Sequence, residues 1–227
     1  PRLREALAAT GSAEEATAGL GLRVRRIAPG DPLGDVPRLR REVYFHEQGQ
    51  AGDRSKRVTD GLDVCGTTLS VEKGAHSIAT LRLHDFSPLA VQVEYGSLFQ
   101  IDAFARTWPL SQVAVGTRFA VQADQRSKPV VDRLLEDAYR WAQESRIQFC
   151  LLACEPFLHD VFEHYGFREY LPPAILPGGV DLLRMVLVLD DEPHLSECSS
   201  PLHRLVRDPS RALPAKAWLT RSFNLGY

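Results

Sequence analysis

The chain has 227 residues, 44% of them hydrophobic and 25% charged, a mixture that excludes disordered, collagen-like and coiled-coil proteins and allows a full core without staples. Its 27 Lys and Arg stand against 29 Asp and Glu, and a net charge of −2 gives no electrostatic footprint for nucleic acid. No run approaches about 18 consecutive apolar residues, so no membrane span is expected. Cys65, Cys150, Cys154 and Cys198 lack CxxC spacing, so neither a disulfide framework nor a zinc site is expected, and a reducing cytoplasm is the expected location.

Residues 1–20, rich in Ala and Glu, read as an N-terminal helical segment. Residues 22–28 alternate apolar and charged, as a half-buried strand does, and Pro29, Gly30 and Pro32 end it. Val36, Leu39 and Val43 recur at helical spacing, which predicts a helix over 35–47 closed by Gly49. Residues 50–60 are polar and charged and read as a loop. Thr67–Glu72 and Ser77–His84, on either side of Lys73-Gly74, predict a hairpin. A short helical piece is expected around Leu98–Phe104, then a strand over Gln112–Val121. Pro129 opens the next helix, where its missing N–H costs nothing, and Val131, Leu134, Leu135 and Ala138 share an apolar face. Ile147–Cys154 reads as a strand buried on both faces, Phe157–His164 as a short helix ended by Gly166, and Arg184–Leu189 as a last strand. Residues 190–227 carry little pattern. This order predicts an α+β, three-layer protein: a mixed central sheet flanked by helices over 21–192, with a C-terminal extension over 193–227.

Arg82 and Arg118 are charged residues inside apolar strands. Burying them without partners is costly, so each is expected to pair with a carboxylate, Asp60, Asp63 and Glu94 being the natural choices. Such a network either organises a cleft or touches substrate. Asp60 and Asp63, three apart, either face one cleft or are solvated turn residues. Glu155, after its strand, is either a base or the start of the next helix. Cys154, Tyr165 and Phe167 read as core, His84 as surface, and Arg38, Arg40 and Arg41 as a solvated helix face.

The strand Thr117-Arg118-Phe119-Ala120-Val121, its polar turn and the helix after it resemble the acyl-coenzyme A motif of the GNAT N-acyltransferases. Pro129 and Val131 stand where that motif carries glycines, which weakens a pyrophosphate cradle and suits a single phosphate, such as that of phosphopantetheine. Four further segments are similar, in order and spacing, to the acyl-homoserine-lactone synthases: Arg40-Arg41-Glu42-Val43-Tyr44, Asp60-Gly61-Leu62-Asp63, Thr80-Leu81-Arg82-Leu83 and Arg118-Phe119-Ala120-Val121. The N-acyl amino acid synthases share that core, and Met185–Leu189, Asp190-Asp191 and Ser200-Pro201-Leu202 look like their tail. Gln50, Val58 and Val115 replace groups that serve the S-adenosylmethionine side of the lactone synthases, which points to another amine.

The resemblance implies a GNAT-like acyltransferase domain over 21–192 that moves a fatty acyl group from acyl carrier protein or acyl-CoA to an amino acid, polyamine or peptide by direct attack. It implies catalytic roles for Asp60 and Asp63; amide formation also needs a base for the ammonium proton, for which Glu94 and Glu155 are the other candidates. Arg118, Phe119, Ala120 and Val121, with Arg126, Ser127 and Lys128, would hold the acyl-phosphopantetheine, and Arg40, Tyr44 and Arg82 the acceptor. Acyl-ACP or acyl-CoA is expected as co-substrate, with no permanently bound cofactor and no metal. Two other readings stand: an S-adenosylmethionine-dependent signal synthase, and a non-catalytic acyl- or carrier-protein-binding module.

Overall fold

A computed structural model describes residues 21–47, 58–176 and 179–224. The strands are β1 (Leu22–Ile27), β2 (Thr67–Lys73), β3 (His76–Asp85), β4 (Val113–Val121), β5 (Phe149–Cys154), β6 (Arg168–Leu176) and β7 (Val180–Val188). They form one mixed seven-stranded sheet in the order β1-β2-β3-β4-β5-β7-β6, with helices against it. The chain divides into two compact units, residues 1–84 with 117–138, and residues 85–116 with 139–227. The expected N-terminal helical segment, Gly49 and Gln50 lie outside the described residues.

In the first unit β1, β2 and β3 are antiparallel, paired from Leu22↔Lys73 and from Thr67↔Leu83. Gly74, at φ +63°, makes the tight turn of the predicted hairpin. The helix expected over 35–47 begins as α1 (Val36–Arg41), with Pro37 in its first turn, and widens into a π-helical turn over Glu42–Glu47. Leu39 and Val43 pack with Ala120 of β4, and Tyr44 lies against them. The helix after the polar turn, Lys128–Glu144, starts one residue before Pro129; Val130, Val131, Leu134 and Leu135 are buried along this unit's part of it. Arg26 of β1 binds Asp137 on that helix at 2.7 Å.

In the second unit β4 and β5 run parallel, from Val113↔Phe149 to Val115↔Leu151, while β5–β7 and β6–β7 are antiparallel. Two helices precede β4: α2 (Leu89–Phe99) and α3 (Ile101–Ala105), separated by Gln100 at φ +50°. Numbering on, the helix Lys128–Glu144 is α4, His159–His164 is α5, Glu192–Glu197 is α6 and Ala212–Phe223 is α7.

Several expected bounds are corrected here. The helical piece around Leu98–Phe104 is really α2 and α3. Leu89 and Val93 of α2 are exposed while Val91 and Phe99 are buried, so no apolar stripe marked its start. β6 was not expected at all, and β7 starts at Val180 rather than Arg184. Pro172 and Pro173 argue against a strand interior, yet β6 is an edge strand whose register with β7 shifts around them, and there a missing N–H is tolerated. Residues 193–224, which looked patternless, share this unit's core. Trp218 of α7 packs on Phe104 and Phe149, with ring centroids 4.9 and 5.4 Å apart, and donates to Thr107 at 3.1 Å. Buried Asp191 receives Arg168 at 2.6 Å and Lys216 of α7 at 3.4 Å. Tyr165 and Phe167 are core residues, as read. Among the described residues no helix is long and apolar enough to cross a membrane.

Candidate active site

Asp60 is extended, at φ −143°, and caps the 3-10 turn Gly61–Val64. Its Oδ1 accepts from the Leu62 amide at 2.9 Å, and Asp63 Oδ2 accepts from the Asp60 amide at 3.0 Å. This reciprocal cap fixes two carboxylates side by side. The spacing Asp-x-x-Asp is the sequence signature of that turn.

Guanidinium groups of the first unit converge on the pair. Asp60 takes Arg82 Nη1 on Oδ1 and Arg118 Nη2 on Oδ2, both at 2.5 Å. Asp63 Oδ1 takes Arg40 Nη1 at 2.9 Å and Arg82 Nη1 at 3.0 Å. Arg40 also donates to the Val58 carbonyl at 3.1 Å, and Arg82 Nε to Thr117 Oγ1 at 3.1 Å. Arg40 and Arg82 have no exposed side-chain surface. Arg40 is therefore not part of a solvated helix face: the last turn of α1 points it inward, beside Leu39 and Val43.

Burial opposes ionisation of Asp60, but the hydrogen bonds and charges of Arg82 and Arg118 outweigh it and hold the carboxyl far below the usual range. Asp63 is likewise depressed: burial resists, and the Asp60 amide together with Arg40 and Arg82 prevails. For Arg40 burial wins over Asp63 and lowers its affinity for its proton. Burial raises the Tyr44 phenol despite the nearby charges of Arg40, Arg118 and Arg82. Among the described residues three guanidinium groups thus meet two carboxylates, and Arg40 Nε and Nη2 are buried with no acceptor.

Arg118 sits mid-strand at φ +58°, a conformation that L side chains rarely adopt. Phe119, Ala120 and Val121 follow it to the end of β4. There Arg126 Nε donates to the Val121 carbonyl at 3.3 Å, so the polar turn folds back on the strand that carries Arg118. Ser127 accepts the Val131 amide on its carbonyl at 3.2 Å, and Lys128 is held by buried Asp132 at 2.7 Å.

The structure thus brings together Asp60, Asp63, Arg40, Arg82 and Arg118, with Tyr44 at their side. Glu94 and Glu155 belong to the second unit. Glu94 is exposed on α2; Glu155 precedes the 3-10 turn Pro156–Leu158 without a side-chain cap bond, and neither forms an ion pair among the described residues. Thr117 and the Val58 carbonyl were missed, since nothing in sequence marks a backbone acceptor or a lone strand threonine. His84 is buried rather than on the surface: its ring lies against Gly66, where any Cβ would overlap it, and its Nδ1 is 3.8 Å from Cys65 Sγ.

A sequence profile for N-acyl amino acid synthase FeeM matches residues 35–186, two thirds of the chain. The chain belongs to the FeeM family. It is an N-acyltransferase, and its mixed sheet is the GNAT fold that the strand and turn motifs implied. FeeM itself, an N-acyl amino acid synthase from uncultured soil microbes, superposes with a TM-score of 0.54 at 15% identity, covering 81% of this chain and 99% of that one. BjaI, a CoA-dependent acyl-homoserine lactone synthase solved with SAM and isopentyl-CoA, gives 0.61 at 16% identity, covering 86% and 100%. An acyl-CoA N-acyltransferase from Pseudomonas aeruginosa gives 0.56 at 20%, covering 74% and 99%. At such identities the likeness is one of fold. No curated protein matches the chain in sequence.

Proposed function

We propose that this FeeM-family protein transfers a fatty acyl group from an acyl-phosphopantetheine thioester, on acyl carrier protein or coenzyme A, to the amine of a carboxylate-bearing acceptor, an amino acid or a peptide, in the reducing cytoplasm. The observation that carries this reading is the Nε–Nη2 edge of Arg40, two parallel N–H donors buried without an acceptor. Each unmet buried donor costs about 1–3 kcal/mol. A carboxylate fits that edge in bidentate fashion. The described cluster also carries one more positive than negative group, which favours an amino acid anion, whose nitrogen is a free nucleophile, over its zwitterion. A polyamine would bring only further positive charge.

The neutral nitrogen attacks the thioester carbon, a tetrahedral oxyanion forms, the C–S bond breaks, and the thiolate takes up the proton that the nitrogen releases. A backbone amide on the Phe119–Val121 strand holds the oxyanion, worth about 3 kcal/mol. Arg126, Ser127 and Lys128 hold the pantetheine phosphate. A base works best with a pKa near the working pH, and Asp60 and Asp63 are far too acidic for that. Their role is to fix the arginines that, with Tyr44, form the acceptor site. A water relays the proton.

Purified protein given acyl-ACP or acyl-CoA with pooled amino acids, peptides and polyamines tests this by mass spectrometry. N-acyl amino acids or N-acyl peptides are expected with at least one donor. Acylated polyamines alone, or no product with either donor, would sink it.

A further inference from the structure

We propose that Thr68 is a further acceptor-binding residue, whose buried hydroxyl donates to the same acceptor carboxylate that the Arg40 edge holds. This role rests on the proposed function, in which Arg40 receives an acceptor carboxylate, and it adds a specificity-determining group to that site.

Alternation puts Thr68 and Ser70 of β2 on one face of the sheet, beside their register partners Arg82 and Thr80 of β3. That face is buried yet polar: Thr68, Ser70, Ser77, Thr80 and Arg82 are all fully buried. Nearly every polar group on such a face must find a partner inside the protein. The Ser70 and Ser77 hydroxyls meet at 2.8 Å, and Thr80 Oγ1 donates to the Leu69 carbonyl at 2.9 Å. Arg82 reaches Asp60, Asp63 and Thr117. Thr68 Oγ1 is buried with no hydrogen-bond partner.

Arg40 comes to this place from α1. Arg38 of α1 donates to the Ser77 carbonyl at 2.9 Å, and Asp35 accepts the Ser77 amide at 2.9 Å, which ties the helix to the hairpin. Arg40 Nη1 and Arg82 Nη1 then share Asp63 Oδ1, at 2.9 and 3.0 Å. Thr68 stands directly opposite Arg82 in the register, so its hydroxyl and the unmet Arg40 edge flank one guanidinium. A carboxylate offers about four lone-pair sites. Two take the parallel N–H groups of Arg40, and a third takes the Thr68 O–H. A valine would fill the same space without desolvating a hydroxyl, so the threonine is explained by a ligand that uses it. Polar groups left unpaired by the wrong ligand are also what makes a site reject it.

The test compares wild type, Thr68→Val and Thr68→Ser. Urea unfolding is measured without substrates. Acceptor KM is measured for the best substrate in a panel of the standard amino acids and their dipeptides, with acyl-CoA and with acyl-ACP. Thr68→Val removes an unmet hydroxyl from the free protein, so its urea midpoint should rise by about 0.5 M. It also removes a hydrogen bond to a charged ligand, so its acceptor KM should rise about tenfold, the loss falling there rather than on kcat or the donor KM. Thr68→Ser keeps the donor and should hold an acceptor KM close to wild type. A hydroxyl satisfied by a trapped water predicts the reverse, a lower midpoint in Thr68→Val with its acceptor KM unchanged. Either of those results, or a Thr68→Ser as impaired as Thr68→Val, would overturn the assignment. If wild type makes N-acyl amino acids or N-acyl peptides and Thr68→Val keeps its acceptor KM, Thr68 loses its role and the proposed function stands. A wild type that acylates neither amino acids nor peptides would refute both.

Discussion

Arg40 has no exposed side-chain surface and gives one N–H to Asp63 Oδ1 at 2.9 Å, while its Nε–Nη2 edge stays unmet. The two residues come from the end of α1 and from the 3-10 turn Gly61–Val64. The pair anchors the cluster, and on the proposed function the unmet edge is what selects a carboxylate.

The two functions separate by substitution. Arg40→Ala leaves Asp63 with less positive charge in a buried setting and should cost about 3 kcal/mol of stability, read by urea unfolding. Arg40→Lys keeps the charge near Asp63 but not the planar edge. It should recover most of that stability, while the acceptor KM rises at least tenfold. An unchanged KM in Arg40→Lys would remove the carboxylate assignment.

Acid should weaken the fold through the same cluster. Asp60 and Asp63 have folded pKa values below their unfolded values. Their stabilisation is therefore complete above the unfolded carboxyl pKa, about 4, and is lost as pH falls from there through the depressed folded values. The Asp60→Asn, Asp63→Asn double variant should be less stable than wild type at pH 7. The gap should close below pH 4 in urea unfolding measured across pH, and a constant gap would show that the carboxylates contribute no charge-linked stability.

The strands β1 to β5 and the helix after the polar turn were legible because their patterns are strong: alternation in 22–28, the Lys73-Gly74 turn, and the apolar face of α4. The pairing of Arg82 and Arg118 with Asp60 and Asp63 was legible because a charge in an apolar strand needs a partner. Arg40 was not, because three arginines within four positions read as solvated, and only the turn from α1 into the π-helical segment shows which one points inward. β6 hid behind Pro172 and Pro173, whose tolerance depends on an edge position that no local pattern reveals. α7 hid because Trp218 is held by Phe104 and Phe149, residues remote in sequence.

The proposed direct attack leaves the cysteines without a role in transfer. Burial pushes the Cys150 and Cys154 thiols up to about 12, with Glu169 and Glu155 adding to the effect at Cys154. At pH 8 about one such thiol in ten thousand is ionised, too few for a nucleophile. Cys154→Ala should keep kcat within about twofold. Initial-rate lines should intersect rather than run parallel, and intact-protein mass spectrometry should show no acyl adduct. A trapped acyl-cysteine would replace direct attack with a two-step route.

The C-terminal helix should be integral to stability rather than an accessory. Trp218 is 8% exposed, packs against Phe104, Phe149 and Phe223, and donates its indole N–H to Thr107. Truncating it to alanine removes a large buried ring and leaves a cavity that its aromatic neighbours fill only in part, at a cost of about 3–5 kcal/mol. Trp218→Phe keeps most of the volume and loses the hydrogen bond to Thr107, which should cost about 1 kcal/mol. Denaturant midpoints for the two variants, read by far-UV circular dichroism, give the ordering. A Trp218→Ala protein as stable as wild type would mean that α7 contributes nothing to this unit's core.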